Sequence, residues 1–255
     1  MRRMVFRLVQ FAAAAVVLGF LVWSSYSAVQ FLRTSPRFEV RRLTVSGLKR
    51  VDEDQLVARA HFEVGTNIFA ADLNGVRERV EELQWVRYAV VQRVMPDEIV
   101  IKVIEREPIG LARIRGEIYQ FDNEGVVLDA PPGTTESFPV LDGLRFEDPP
   151  ETVSKKVDVY RRVVEELGQT ELSEVHVNEA GEAAVVSTSD PLMVNLGAGE
   201  FKTRWLVYLQ LKTQIQQQYP DAVLVDLRFR NQVVVRMRND EVGEKVIWDA
   251  EKRLL

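Results

Sequence analysis

The first hydrophobic segment of the chain is continuous and shows no helical or strand periodicity. Residues 11–32 read FAAAAVVLGFLVWSSYSAVQFL and contain no charged residue. A helix of this length spans about 33 Å, close to the thickness of the hydrocarbon core of a bilayer. Trp23, Tyr26 and Phe31 lie towards its C-terminal end, where aromatic side chains favour the membrane interface. We predict a transmembrane helix at 11–32 after a cytoplasmic tail at 1–10.

A cleaved secretory signal is the alternative interpretation of this segment, with small residues at 24–28 as the cleavage site. Apolar character resumes at Val29–Leu32, beyond that site, which favours a retained anchor. Arginines lie on both sides of the span, so the positive-inside rule leaves its orientation open. A long downstream domain can translocate regardless of its charges, which modestly favours a body outside the cytoplasm.

Within residues 38–107, the spacing of apolar side chains alternates between the two-residue period of strands and the 3.6-residue period of helices. Strands are predicted over 38–45, 86–94 and 98–104. A short helix begins after Asp52, and a second helix over 73–84 carries an apolar stripe. The order β-α-α-β-β predicts a small α+β domain in which two helices cover one side of a three-stranded sheet.

Residues 108–238 form the predicted second domain, which is mainly antiparallel β with two helices. Strands are predicted near 110–114, 118–122, 126–128, 172–177, 183–187 and 192–196. Helices are predicted over 153–167 and 200–218, and a Pro/Gly-rich loop at 131–133 separates the first strands from the first helix. The whole chain is therefore α+β, with a transmembrane helix before two domains.

The last strands of this domain form a predicted hairpin. Residues 223–238 read VLVDLRFRNQVVVRMR, two runs of alternating apolar and charged residues broken at 230–232. No later strand is predicted in the tail at 239–255, which reads as a weakly amphipathic helix or as disorder. The outer edge of the hairpin is therefore expected to be open. An open edge either docks an extended segment of a partner or is kept soluble by charges such as Arg228 and Arg236.

Composition narrows the possible functions. The net charge is −5, and residues 1–37 carry five arginines and no acid, so the remaining body carries −10. Such an acidic body disfavours binding to nucleic-acid phosphates. The chain has no cysteine and two histidines, which excludes disulfides, a thiolate nucleophile and a Cys- or His-rich metal site.

Few residues suggest catalysis. His176 lies in a strand pattern and His61 at the end of a short helix, and neither is near a G-x-S-x-G nucleophile elbow. Gly197-Ala198-Gly199 lacks the Lys and Ser/Thr of a phosphate-binding loop and reads as a strand-to-helix turn. The acidic pairs read as a helix cap at 52–54 and as a solvated helix face at 165–166. We predict no catalytic, cofactor or metal site.

Five short motifs occur in order behind the membrane anchor. They are Arg93-Val94-Met95-Pro96, Glu105-Arg106-Glu107-Pro108, Phe121-Asp122-Asn123-Glu124-Gly125, Phe138-Pro139-Val140-Leu141-Asp142-Gly143 and Val225-Asp226-Leu227-Arg228. In this order they resemble the FtsQ/DivIB family of bacterial cell-division proteins. One departure is Met95, where the family more often has an aromatic residue. The resemblance implies a POTRA domain at 38–107 and a β-domain at 108–238.

The resemblance also implies a function and partners. The family's β-domain binds FtsB, which is in a complex with FtsL, and FtsW, FtsI and FtsK are further possible partners. By position, the implied partner-binding residues are Arg228, Phe229, Asn231, Gln232, Val233, Val234 and Val235. Arg228 would pair with acids of the partner, and the main chain of 233–235 would pair with an added strand. Phe229 stands where relatives can carry Tyr.

The resemblance therefore implies a non-catalytic scaffold of septum formation. It would be a single-pass type II protein of the inner membrane, with the bulk of the chain periplasmic and enriched at the septum. Two other classes stay open. A POTRA-bearing outer-membrane assembly or secretion factor would need repeated POTRA units or a β-barrel, and a membrane-tethered envelope hydrolase would show turnover on peptidoglycan.

Overall fold

The computed structural model describes residues 2–63, 65–129, 137–229, 232–238 and 244–246. It divides into two compact units, residues 1–106 and 107–255. The loop predicted at 131–133 lies outside the described residues.

An apolar helix opens the first unit. Helix α1 runs over Arg2–Thr34, so most of the predicted tail at 1–10 is helical. Its segment Ala13–Thr34 has a mean hydropathy of 1.6 and is exposed throughout, and it is the one described helix long and apolar enough to cross a membrane. The predicted N-terminal apolar helix is confirmed.

The rest of the first unit is a three-stranded sheet with two helices. The elements are β1 (Arg42–Ser46), α2 (Glu53–Ala60), α3 (Leu73–Glu81), β2 (Val86–Val94) and β3 (Glu98–Glu105). The strand order is β1-β3-β2, with β1 parallel and β2 antiparallel to β3. The predicted β-α-α-β-β order is confirmed.

The first strand begins later than predicted. Ser35 accepts a hydrogen bond from the N–H of Arg37 and starts a 3₁₀ turn at Pro36–Phe38, so β1 begins only at Arg42. The apolar residues of the predicted strand divide between this turn and β1. Phe38, Leu43 and Val45 nevertheless all pack against the core of the unit.

Two hydrogen-bonded side chains hold the loops of this unit. Arg93 donates from Nε to the carbonyl of Ile68 at 2.7 Å and from Nη2 to that of Ala71 at 2.8 Å. Glu105 accepts from the backbone N–H groups of three successive residues, 49–51, at 2.8–3.0 Å. Burial would raise the pKa of Glu105, but these N–H groups and the charge of Arg50 together lower it.

The second unit is one ten-stranded sheet with two long helices. The strands are β4 (Pro108–Ile114), β5 (Glu117–Asp122), β6 (Val127–Leu128), β7 (Val140–Asp142), β8 (Leu172–Val177), β9 (Ala183–Ser187), β10 (Asp190–Gly197), β11 (Ala222–Asp226), β12 (Val233–Met237) and β13 (Glu244–Val246). Helix α4 covers Pro150–Leu167 and helix α5 covers Phe201–Gln218.

The strand order is β13-β12-β11-β10-β9-β8-β7-β4-β5-β6. Six of the nine pairings between described strands are antiparallel, so a mainly antiparallel β-domain with two helices is confirmed. Strand β7 was not predicted. It inserts between β4 and β8 with parallel pairing on both sides.

Two of the motifs make tight turns in this unit. Asp122, which is buried, accepts from the N–H groups of Glu124 and Val126 at 2.9 Å and so closes the turn between β5 and β6. Gly143 has φ +112°, and a Cβ there would lie 2.3 Å from the carbonyl oxygen of Val177. Only glycine accommodates both the backbone conformation and this close approach.

A buried lysine fastens α4 to the loop that follows β7. The side chain of Lys156 is 2% exposed, and its Nζ contacts Asp148 Oδ2 at 2.9 Å, Glu179 Oε1 at 3.2 Å and the carbonyl of Gly143 at 2.7 Å. Asp148 is buried with it. Removing one partner of a buried ion pair is costly, because the other charge stays buried without compensation.

We expect Lys156→Met to lower the free energy of unfolding by about 3–5 kcal/mol, because it leaves the Asp148 carboxylate unpaired. Urea unfolding of the full chain in mild detergent measures this change. Lys155→Met is the matched control, since Lys155 is exposed and its Nζ donates to the carbonyl of Ala180 at 2.9 Å. The control should change stability by no more than about 0.5 kcal/mol. Equal losses in the two variants would contradict the role of the buried pair.

Candidate functional site

The predicted partner-binding residues lie at the terminal edge of the ten-stranded sheet, formed by β11, β12 and β13. The hairpin β11–β12 exists, but β11 ends at Asp226 and the connection is longer than predicted. Asp226 causes the early end, because its Oδ1 accepts from the backbone N–H of Arg228 at 3.0 Å and turns the chain. Asp226 has a charged position in the alternating pattern, and it is nevertheless buried.

Arg228 forms ion pairs with two carboxylates of the same chain. Its Nη2 lies 2.7 Å from Asp226 Oδ2, and its Nη1 lies 2.9 Å from Glu182 Oε2 at the start of β9. The hydrogen bond that Arg228 donates to Asp226 raises the pKa of Arg228, and the charges of Asp226 and Glu182 raise it as well. In this structure the guanidinium holds β11 to the β8–β9 turn, and the pairing of Arg228 with acids of a partner stays a prediction.

The remaining predicted residues differ in exposure. Phe229 is 50% exposed, and the guanidinium carbon of Arg228 lies 5.9 Å from the centre of its ring. Val233 and Val235 are buried in the core, while Gln232 and Val234 are half-buried. Asn231 lies outside the described residues. A partner can therefore reach the ring of Phe229 and the alternate positions of β12, but not the side chains of Val233 and Val235.

The predicted open edge of β12 is wrong. Residues of the tail form β13, which pairs with β12 in antiparallel register: Val246 opposite Val233, Lys245 opposite Val234 and Glu244 opposite Val235. The described part of the tail is thus neither helix nor disorder, although 239–243 and 247–255 lie outside the described residues. A three-residue strand lacks enough positions to show a period, which is why the pattern did not reveal it.

Helix α5 is fixed beside this edge by a buried carboxylate at the start of β10. Asp190 Oδ2 accepts from the hydroxyl of Tyr208 at 2.7 Å and from Nε2 of Gln216 at 3.0 Å, and Lys212 Nζ lies 3.5 Å away. Burial would raise the pKa of Asp190, but the bonds from Tyr208 and the Leu192 N–H, with the charge of Lys212, lower it. Burial and the bond to Asp190 raise the pKa of Tyr208.

The histidine considered for catalysis belongs to an ion-pair network on the sheet. His176 Nδ1 lies 3.1 Å from Asp142 Oδ2 and its Nε2 lies 3.0 Å from Glu174 Oε2. Arg113 Nη2 lies 2.7 Å from Glu174 Oε1, and this bond first, then its charge, lowers the pKa of Glu174. Both ring nitrogens of His176 are thus engaged by neighbouring side chains of parallel strands.

The other candidates for chemistry have structural roles. Asp52 caps α2 by accepting from the N–H of Gln55 at 3.0 Å, as predicted. Gly197 ends β10 and α5 begins at Phe201, so the glycines form the predicted strand-to-helix turn. Glu165 and Glu166 lie on the exposed face of α4, as predicted, and Glu166 Oε2 in addition accepts from the N–H of Lys202 in the first turn of α5 at 3.0 Å.

Sequence reasoning missed the acids that organise this edge. Glu182 and Asp190 each lie in segments with ordinary surface composition, and the side chains that they fix, Arg228 and Tyr208, are 46 and 18 residues away in sequence. Of these acids, only Asp190 is marked in the sequence, because it follows a Thr-Ser pair and precedes Pro191. This pattern predicts a turn, but it does not predict that Asp190 contacts α5.

Comparisons with known proteins match both units. The model of the POTRA domain, FtsQ-type, matches residues 38–106, and that of the cell division protein FtsQ/DivIB, C-terminal, matches residues 111–228. The cell division protein FtsQ of Koribacter versatilis is 32% identical over 87% of this chain and 69% of its own length. The FtsQ of Myxococcus fulvus is 26% identical over 83% of this chain and 78% of its own.

Among solved structures, the major extracytoplasmic domain of the cell division protein DivIB from Geobacillus stearothermophilus aligns with 44% of this chain and 96% of that chain. The identity is 17% and the TM-score is 0.29. A score this low adds nothing to the assignment, which rests on the two family models and the FtsQ sequences.

We expect the Asp190 contacts to stabilise the protein above pH 4 and to be lost in acid. Because folding lowers the pKa of Asp190, its contribution is complete above the ordinary value of about 3.9 and disappears as pH falls through the folded value. Asp190→Asn should cost about 1–3 kcal/mol at pH 7. Urea unfolding of both proteins between pH 7 and pH 3 should show the difference shrinking below about pH 4.

Asp158→Asn is the control for this series, because Asp158 is exposed and pairs with exposed Arg161 at 2.9 Å. Its effect should stay within about 0.5 kcal/mol over the whole range. A difference between wild type and Asp190→Asn that stays constant down to pH 3 would show that the carboxylate's charge is not what stabilises this contact.

Proposed function

This chain belongs to the FtsQ/DivIB family of cell division proteins, and from that premise we propose that it is a non-catalytic scaffold that binds FtsB within its complex with FtsL. We propose that α1 crosses the inner membrane once, that the bulk of the chain behind it lies in the periplasm, and that the protein gathers at the septum. It would link early and late division proteins, with FtsW, FtsI and FtsK as further partners.

The terminal edge of the ten-stranded sheet carries this proposal. A strand can extend a sheet at an edge, where main-chain hydrogen bonds supply affinity and alternate side chains supply specificity. The other end of the sheet is β6, a strand of two residues, which offers less main chain to pair with. At the opposite end, β12 has five residues and the exposed ring of Phe229 lies close to it in the chain, so we place the partner there.

The pairing of β12 with β13 makes strand exchange the route that we propose. The partner segment would replace β13 and pair with the main chain of 233–235. Pairing with β13 covers three residues of β12. A backbone hydrogen bond contributes about 0.5–1.5 kcal/mol net, so a ladder this short is worth only a few kcal/mol. A longer partner strand that also reaches Arg236 and Met237 would form more bonds than β13 forms.

Side chains beside the edge would select the partner. Arg236 and Arg238 are exposed, and Arg236 lies on the same face of β12 as Val234 because strand positions alternate. This positive charge favours an acidic partner segment and speeds its encounter, an effect that salt weakens. Arg228 contributes differently: it fixes the turn through Asp226 and so supports the position of Phe229.

The two other functional classes have less support. The matched relatives are cell division proteins, whereas an outer-membrane assembly factor or an envelope hydrolase would require another family. The residues considered for catalysis take part in caps and ion pairs of the fold, as described above. Turnover of peptidoglycan by the purified protein remains the observation that would favour a hydrolase.

We expect a disulfide between β12 and β13 to block binding. The chain is free of cysteine, so Val234→Cys with Lys245→Cys places one thiol on each strand at positions directly opposite in register. The oxidised variant should lose binding to the FtsB–FtsL complex by more than about tenfold, and a reductant should restore it. Biolayer interferometry with the full chain in nanodiscs measures both states.

Val234→Cys alone is the control and should bind equally with and without reductant. Equal affinity of the oxidised and reduced double variant would contradict strand exchange, since it would mean that the partner tolerates β13 in place. Removal of residues 239–255 adds an independent measurement, because loss of the competing strand should tighten binding.

We expect Phe229→Ala to weaken binding to the FtsB–FtsL complex about 5- to 30-fold, because exposed aromatic rings at an interface commonly contribute 1–2 kcal/mol. Phe146→Ala is a closely matched control. Phe146 is 49% exposed and lies under Arg115 at 5.7 Å, much as Phe229 lies under Arg228. Equal effects of the two substitutions on affinity would show that Phe229 is not part of the binding interface.

A further inference from the structure

One corner of the first unit is joined directly to the end of α1. Asn67 lies in the loop before α3, and its Nδ2 donates to the main-chain carbonyl of Leu32 at 2.9 Å. Its Oδ1 accepts from the N–H of Phe69 at 3.0 Å, and Asn67 also forms an isolated β-bridge with Glu39. Leu32 is the last residue of the apolar segment 11–32, so this corner lies where the chain leaves the membrane.

Exposed apolar side chains lie on the segments that form this corner or are bonded to it. Phe69 is 40% exposed, although its ring packs edge-on against that of Phe38 at 5.3 Å. Met95 is 50% exposed, and the turn that contains it is held at the start of β1 by the bond from the N–H of Arg41 to the carbonyl of Asp97 at 2.9 Å. Phe31 on the last turns of α1 is exposed as well.

Uncompensated positive charge surrounds these apolar side chains. Arg33, Arg37 and Arg41 are exposed, and none forms an ion pair among the described residues. Arg42 differs, because it lies 3.2 Å from Asp97 and 3.8 Å from Glu98. The single acid between 33 and 42 is Glu39, so the segment keeps a net positive charge.

We propose that this corner is a membrane-contact surface that binds anionic phospholipids. The guanidinium groups of Arg33, Arg37 and Arg41 bind headgroup phosphates, for which their forked donors are suited. The side chains of Phe69 and Met95 enter the interfacial layer, where aromatic and apolar groups are favoured. The inference rests on the proposed membrane anchoring by α1 but is independent of FtsB binding.

The connection to α1 favours lipid over a protein partner as the occupant. A helix that crosses the bilayer ends within the headgroup layer, and the Asn67–Leu32 bond keeps the corner at that level. Basic residues next to a membrane span are attracted by anionic headgroups within a few ångströms of the surface. Contact with lipid then fixes how the first unit stands on the bilayer.

Spin-label accessibility on the full chain tests the proposal. The chain contains no cysteine, so Ala70→Cys places one nitroxide beside Phe69 and leaves that ring intact. Ile104→Cys is the control, because Ile104 is exposed and lies at the opposite end of β3 from the Arg41–Asp97 contact. Both proteins are reconstituted in nanodiscs of phosphatidylcholine with phosphatidylglycerol.

We expect the ratio of collisions with O₂ to collisions with a water-soluble nickel chelate to be at least about twofold higher at position 70 than at position 104, because O₂ concentrates in lipid. Reversing the charges with Arg37→Glu and Arg41→Glu should lower the ratio at position 70 towards that at 104. The charge-matched control is Lys102→Glu with Lys155→Glu, which should leave it unchanged. Nanodiscs of phosphatidylcholine alone should lower it as well.

Equal ratios at positions 70 and 104 in the wild-type background would overturn the proposal. A high ratio at position 70 that ignores both the arginine substitutions and the lipid charge would also overturn it, because the contact would not involve anionic headgroups. Extraction of the full chain from liposomes by alkaline carbonate separately tests anchoring. Loss of the protein from the bilayer there refutes the membrane span, not the corner's affinity for lipid.

Discussion

Backbone N–H and C=O groups need partners, and the organisation of the second unit follows from how its ten-stranded sheet meets this need at its terminal edge. β11 pairs with β10 on one side and with β12 on the other, so the backbone groups that still need partners are those on the outer side of β12. Strand β13, three residues of the chain's own tail, pairs with that side. Everything proposed about binding depends on this pairing being short, because a long tail strand would close the edge and leave a partner nothing to replace.

Three acids near the edge hold the hairpin and its neighbouring helix in position. Asp226 ends β11 and captures Arg228, and Glu182 takes the other side of the same guanidinium. Asp190 fastens α5 through Tyr208. These buried or half-buried acids fix the backbone geometry on which main-chain recognition relies. Preorganised backbone is useful because a rigid edge loses less entropy when a partner strand pairs with it.

The sequence predicted an element well where that element is long enough to show a regular spacing of apolar residues. The alternation of Ile99, Ile101 and Val103 located β3 to within one residue of its end, and the stripe of α4 was equally clear. Strands β7 and β13 were missed, because three residues are too few to show a period. For the candidate site, the alternation that buries Val233 and Val235 could be predicted, whereas Phe229 has an apolar position in the same pattern and is 50% exposed. The tail strand could not, because it is too short to show a period, and the ion pair of Arg228 with Glu182 could not, because these residues are 46 positions apart in sequence.

In the strand exchange that we propose, competition with β13 sets what a partner has to supply. A tail strand tethered by a few residues acts at an effective concentration in the millimolar range. A partner present at micromolar concentration must therefore gain about 4 kcal/mol more from its contacts than β13 does. Pairing with 233–235 alone cannot provide the difference, because β13 makes the same bonds. The surplus has to come from the unpaired remainder of β12 and from side chains such as Phe229, so specificity lies beside the shared strand and not within it.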